Sequence, residues 1–214
     1  MMKLTKKGIA LGCCLALVLC FCASPLFAEA DPKVGQVLGP VKFAKPLSDD
    51  EAKYLGLPKA QEFTIKDVKT PYLLIEQFNT SCPHCMHQAP GLNKLFTMVQ
   101  ADAALKDKVV FMSVGQNNDE SAVKMWKAFH KVPFPVLPDP GSALGKALNF
   151  TPYPVSMLVD KSGKILWVEI GAFESPEGAM KGIKAVATYR YLKSHQFEAG
   201  PKRLFLGLSF SRPI

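Results

Sequence analysis

Two apolar periods alternate along this chain. Tyr72-Leu73-Leu74-Ile75-Glu76-Gln77-Phe78 is a nearly continuous apolar run broken at Glu76, the pattern of a strand buried on both faces. Behind it, Met86 to Lys106 places Leu92, Leu95, Phe96 and Val99 at helical spacing. Val109 to Val114 predicts the next buried strand. Asp119 to His130 predicts a helix with Val123, Trp126 and Phe129 on one face. Phe134 to Leu137 is a short extended piece, and Ser142 to Leu148 a short helix. Val155 to Val159 and Lys164 to Ile170 form two strands joined by the turn Asp160-Lys161-Ser162-Gly163. Ser175-Pro176-Glu177 starts a last helix, with proline in its first turn, running to about Ser194.

Upstream, residues 31–47 read as extended. Ser48-Asp49-Asp50-Glu51 is a capping-box pattern that predicts a short helix through Tyr54-Leu55, stopped by Gly56. Phe63-Thr64-Ile65 alternates like a short strand. Strands that alternate with helices and end in a hairpin and a helix predict an α/β fold, a mixed sheet with helices on both faces. Leu204 to Phe210, in the tail Gln196 to Ile214, is apolar but fits no element of that plan. An edge strand, a partner contact and a loose end all remain open for it.

The first residues change how the rest is counted. Lys3, Lys6 and Lys7 precede an apolar stretch from Ile9 to Phe21, a break at Ala23-Ser24-Pro25, and small residues at Ala28 and Ala30. This is the pattern of a secretory signal, residues 1–28, cut after Ala28 or Ala30, and it predicts a periplasmic or otherwise exported chain. An uncleaved Ile9 to Ala28 segment would instead anchor the protein to a membrane. Four of the six cysteines, Cys13, Cys14, Cys20 and Cys22, fall in that segment, leaving Cys82 and Cys85. A disulfide-stapled secreted domain needs more cysteines at wider spacing, so one close pair in an oxidising compartment reads as a working redox pair. Removal of three lysines and no acid lowers the formal charge from +8 to +5. The remaining excess forms no Lys/Arg block, so no nucleic-acid partner is expected.

Cys82-Pro83-His84-Cys85 lies at the junction between the Tyr72–Phe78 strand and the following helix. Pro83 suits the first turn, where its missing N–H has no partner to lose. Cys82 then meets free backbone N–H groups and the positive end of the helix dipole, which favour a thiolate, the reactive form.

The motif and the order of elements together resemble a thioredoxin-fold protein over roughly residues 60–195. Glu76, six residues before Cys82, matches a buried acid of that fold. Pro90 matches the proline of its active-site helix, Pro154 the cis-proline that opens a strand, and Gly171 a glycine ending the next one. The Pro-His dipeptide is that of DsbA-type oxidants. The span from Cys85 to Pro154 has room for one extra strand-helix insertion, as in TlpA/ResA-type proteins. Ser81 and Tyr153 depart from the residues usual at their positions.

Four parts follow: the targeting pattern sets off a signal peptide (1–28), the capping box marks an N-terminal extension with a short helix (29–59), and the resemblance implies a thioredoxin-like domain (60–195), leaving the tail (196–214). It implies thiol-disulfide exchange with protein thiols, a redox partner that recharges the pair, and no cofactor. Cys82 is then the attacking thiol and Cys85 the resolving one. His84 adds charge or an N–H near Cys82, and Glu76 exchanges a proton with Cys85. Pro83, Tyr153 and Pro154 meet the client, with the Tyr153 backbone free to pair with an extended segment. Trp126 and Trp167 read as core. Haem attachment is excluded because position 86 is Met rather than His. A copper chaperone using Cys82, Cys85, His84 and His87 is one alternative. A thiol peroxidase is another, although Ile75 and Asn79 replace its usual Pro and Thr.

Overall fold

A five-stranded sheet in the order β3-β2-β1-β4-β5 carries the architecture. The strands are β1 (Tyr72–Phe78), β2 (Val109–Gln116), β3 (Val136–Asp139), β4 (Val155–Asp160) and β5 (Ile165–Ile170). The helices are α1 (Asp49–Tyr54), α2 (Pro83–Ala101), α3 (Glu120–His130), α4 (Ala143–Leu148) and α5 (Pro176–Glu198). The structure, a computed structural model, describes residues 31–198, with side chains to residue 188. Residues 1–30, where the targeting segment is expected, and the tail beyond Glu198 lie outside the described residues.

β1 pairs parallel with β2 and antiparallel with β4; β2–β3 is parallel and β4–β5 antiparallel. The sheet is therefore mixed, as the alternation of elements predicts. Between α2 and β4 the chain makes two strand-helix units, β2-α3 and β3-α4, one more than a plain thioredoxin fold needs.

All seven residues of β1 are buried, and their side chains alternate between two core layers. Leu73 and Ile75 face a layer shared with Phe43, Leu55, Phe63, Leu144 and Leu148. Tyr72, Leu74 and Phe78 face a layer shared with Leu92, Leu95, Val123, Trp126 and Ile183. Each fully buried Leu or Ile contributes roughly 1.5–3 kcal/mol of transfer free energy, so the central strand is a stiff base for whatever its end carries.

Several expectations need correction. Phe63-Thr64-Ile65 is not a strand. Phe63 makes one bridge to Phe43, and Ile65–Asp67 turns into a 3-10 helix because the Asp67 carboxylate captures the Thr64 N–H at 2.7 Å and its hydroxyl at 2.9 Å. The helix expected to reach Lys106 ends at Ala101. Asp102 leaves helical geometry there, and its carboxylate accepts the Ala104 N–H at 2.8 Å. Phe129 points to solvent rather than joining Val123 and Trp126 in the core. Each three-residue step turns a helical stripe by about 60°, so the second step carries Phe129 off the buried face. His130 takes the inner place and lies 4.1 Å from Trp126, ring centre to ring centre.

Candidate active site

The approach to the cysteine pair is a loop held by amide side chains. Asn79 donates through Nδ2 to the Gln116 carbonyl at 2.7 Å and accepts the Ser81 N–H on Oδ1 at 2.8 Å. Its own carbonyl accepts the Cys82 N–H at 3.1 Å. Asn118 grips Thr80 twice, accepting its N–H at 3.0 Å and donating to its hydroxyl at 2.9 Å. Gly115 makes this possible: a Cβ there would stand 2.7 Å from Val123 Cγ1 and 3.1 Å from Asn118 Cβ.

Cys82 is the N-cap of α2 and Pro83 its first residue, as the sequence predicts. Cys82 Sγ accepts the Cys85 N–H at 3.2 Å and stands 3.8 Å from the Tyr153 carbonyl oxygen. Both thiols are free. Cys82 retains 7% exposure and Cys85 none. Burial pushes the Cys85 thiol well above the ordinary thiol range, and its contact with Cys82 and the nearby Glu76 charge push it further. His84 and His87 are exposed on the first turns of α2.

Glu76 lies beneath this helix at 2% exposure. Oε1 accepts from Gln88 Nε2 at 3.0 Å, and Oε2 accepts the Ser113 hydroxyl at 2.5 Å. Burial raises its carboxyl above the usual range, while the two hydrogen bonds pull it back. Gln88 also donates to Ser156 Oγ at 3.2 Å, and its Oε1 accepts the Phe173 N–H at 3.2 Å. Ser113 and Ser156 are the cross-strand neighbours of Glu76 on β2 and β4, so three polar residues form a row across an apolar sheet.

The Tyr153–Pro154 peptide bond is cis. Gln77, next to Glu76 but on the opposite face, donates to the carbonyls of Phe150 at 3.3 Å and Pro152 at 3.1 Å, fixing the loop ahead of Tyr153. Gly171, at φ +86°, donates its N–H to the Pro154 carbonyl at 2.8 Å. One end of the sheet thus gathers Glu76, Cys82, Pro83, His84, Cys85, Tyr153 and Pro154. Trp126 lies in the core against Phe78, with ring centres 4.7 Å apart. Trp167 packs on Gly182. Among the described residues, no three His, Cys, Asp or Glu side chains are grouped to share a metal ion, as the four-ligand copper alternative requires.

Sequence reasoning missed Gln88, Ser113, Ser156, Gln77 and the Asn79–Asn118 pair. The signal was available for the serines: each interrupts an apolar strand, as Glu76 does. Gln88 sits between Cys85 and Leu92 on the buried stripe of α2.

Comparison with known proteins agrees with this geometry. The family model described as Redoxin matches residues 48–185. Thiol-disulfide oxidoreductase ResA of Bacillus cereus is 26% identical over 127 residues, covering 58% of this chain and 70% of that protein. Thioredoxin-like protein YneN of Bacillus subtilis is 25% identical over 124 residues, covering 56% and 69%. Among solved structures, the thioredoxin domain of a thiol-disulfide oxidoreductase from Bacteroides vulgatus aligns with a TM-score of 0.54 at 16% identity, covering 71% of this chain and 98% of that one. A thioredoxin family thiol:disulfide interchange protein from Chlorobium tepidum aligns at 0.51 and 19%, covering 75% and 99%. At those identities the two structures speak to the fold alone. The chain belongs to the Redoxin family and has the thioredoxin-fold architecture of ResA-like thiol-disulfide oxidoreductases.

Proposed function

We propose that this protein is an exported oxidoreductase that exchanges its Cys82–Cys85 pair with protein thiols through a mixed disulfide. The observation that carries this reading is the placement of the two sulfurs. Cys82 caps the open end of α2 with the Cys85 N–H on its Sγ, and Cys85 is enclosed behind it. In the reductive direction the Cys82 thiolate attacks one sulfur of a client disulfide. That S–S bond breaks as the Cys82–client bond forms, and the second client sulfur leaves as a thiolate. Cys85 then loses its proton and attacks Cys82 Sγ, releasing the first client sulfur. Two electrons pass to the client, two thiols appear on it, and a disulfide joins Cys82 to Cys85. The oxidative direction reverses each step, and a redox partner resets the pair.

Glu76 is the group that takes the Cys85 proton. Its buried carboxyl lies close enough for its charge to act on that thiol, and a carboxyl raised by burial is a better proton acceptor than an ordinary one. His84, exposed on the first turn, adds charge or an N–H near Cys82. Pro83, Tyr153 and Pro154 form the surface that meets the client, the Tyr153 backbone pairing with an extended segment. Export rests on residues 1–28, the signal peptide of the four-part organisation.

The test is a trapping experiment with insulin as the disulfide client. Cys85→Ser should accumulate a covalent adduct that dithiothreitol releases, and Cys82→Ser should form none. A Cys85→Ser protein that forms no adduct overturns the proposal. N-terminal sequencing of the exported protein should begin at Glu29 or Asp31; an intact Met1 would refute cleavage.

A further inference from the structure

Beside the cysteine pair, on the side of α2 away from Pro154, lies an open groove of about 450 Å3 between α2 and α3. Thr80, Met86, Met125, Trp126, Phe129 and His130 line it. Its apolar side chains stand unusually far out: Met86 is 45% exposed, Met125 67% and Phe129 81%. Elsewhere in α3 the outward positions are Glu120, Ser121, Lys124 and the small Ala128, so Met125 and Phe129 are its large exposed apolar side chains. No Lys, Arg, Asp or Glu lines it, and burial lowers the protonation range of His130.

The groove adjoins the segment that carries the reacting sulfur. Thr80 lies two residues before Cys82, and Met86 donates its N–H to the Cys82 carbonyl at 3.1 Å. A client held by its own cysteine on Cys82 Sγ, and paired with the Tyr153 backbone on one side of it, has its residues on the other side of that cysteine free to lie over this surface. An extended chain advances about 3.3 Å per residue, so the second or third neighbour reaches the groove. Methionines suit a surface that must accept many shapes, because the thioether chain is unbranched and adaptable.

We propose that this groove receives an apolar side chain about two or three residues from the client's cysteine. The clients are then extended, apolar-flanked cysteine segments of unfolded chains, rather than small thiols or cysteines in polar loops. This deepens the exchange reading above and rests on it.

The test uses short glycine-serine peptides, each with one cysteine joined to glutathione. A phenylalanine or a serine stands two or three residues before or after that cysteine. The reduced protein converts each to peptide thiol plus glutathione while its own pair becomes a disulfide, and chromatography follows the peptide thiol. At least one phenylalanine position should raise kcat/KM about tenfold over serine, equivalent to about 1.4 kcal/mol. That ratio should fall to about one in Phe129→Ser and in Met125→Ser, which alter exposed side chains and leave the core packed. Val34→Ser, at an exposed apolar site elsewhere, should keep the ratio. Equal rates for all peptides in the wild type overturn the groove assignment, as does a preference that survives both groove variants. Wild-type self-association abolished by Phe129→Ser would assign the groove to a second copy of this chain instead. If no peptide is reduced at all, the exchange reading itself fails, so the two failures are distinguishable.

Discussion

Gln88→Met keeps the length of a side chain that ties together three separate parts of the site, and removes only its amide. Three hydrogen bonds disappear: to Glu76 Oε1, to Ser156 Oγ and from the Phe173 N–H. The losses are unequal. The Phe173 N–H is partly accessible and can find water, so little is lost there. Glu76 Oε1 and Ser156 Oγ are enclosed, and a buried polar atom left without its partner costs roughly 1–3 kcal/mol, more when the group is charged. The sum is a destabilisation of about 2–6 kcal/mol at neutral pH, less than the roughly 5–15 kcal/mol stability of all but the weakest ordinary domains, so the variant should still fold.

The sign of its pH dependence follows from the same contacts. Burial holds the Glu76 carboxyl above its unfolded value, and the Gln88 bond lowers it. Without that bond the folded-state value climbs further. A raised carboxyl costs no stability below its unfolded value. Its penalty grows as pH rises from there through the folded value, where the unfolded chain releases a proton that the folded chain retains. Gln88→Met should therefore lose least at acid pH and most at alkaline pH. Urea titrations of both proteins at pH 4.5, 6, 7.5 and 9 measure the difference directly. A loss under about 1 kcal/mol, or one that does not change with pH, would refute the idea that the amide holds an ionisable Glu76 in place.

Two further predictions use the same lattice of contacts. Glu76→Gln can keep both hydrogen bonds, its carbonyl facing Gln88 and its amide facing the Ser113 hydroxyl, while removing the charge. It should gain stability at alkaline pH, match wild type at acid pH, and slow resolution by Cys85 so that stopped-flow measurements detect a lingering mixed disulfide; unchanged resolution would remove Glu76 from the proton path. Gly115→Ala forces a methyl 2.7 Å from Val123 Cγ1 and should cost about 1–3 kcal/mol in thermal or urea unfolding, while loosening the Asn118–Thr80 contacts ahead of Cys82; a neutral substitution would show that α3 shifts freely.

The features legible in the sequence were those carried by short-range pattern. The limits of β1 at Tyr72 and Phe78, the cap at Cys82 and the proline at the start of α5 follow from apolar runs and helix-start chemistry, and each stands where expected. The burial of Glu76 followed from one acid in an apolar strand. Features set by partners distant in sequence were not legible. Gln88 bonds across 12, 68 and 85 positions, and no local spacing announces such a set. The outward turn of Phe129 depended on His130 winning the inner position against Trp126, a contest of packing rather than propensity. Phe63-Thr64-Ile65 failed as a strand because Asp67, two positions further on, offered the backbone a tighter alternative.

Gln77 has a consequence for how such a chain can vary. By clamping the carbonyls of Phe150 and Pro152, it separates the Tyr153–Pro154 step from everything between β2 and Phe150. Length changes in the β3-α4 excursion are absorbed before they reach the clamp, and the carbonyl beside Cys82 keeps its place. The excursion then behaves as an exchangeable module plugged into a fixed socket. Relatives can be expected to differ in the size of this module while the socket, one amide on the central strand, stays the same.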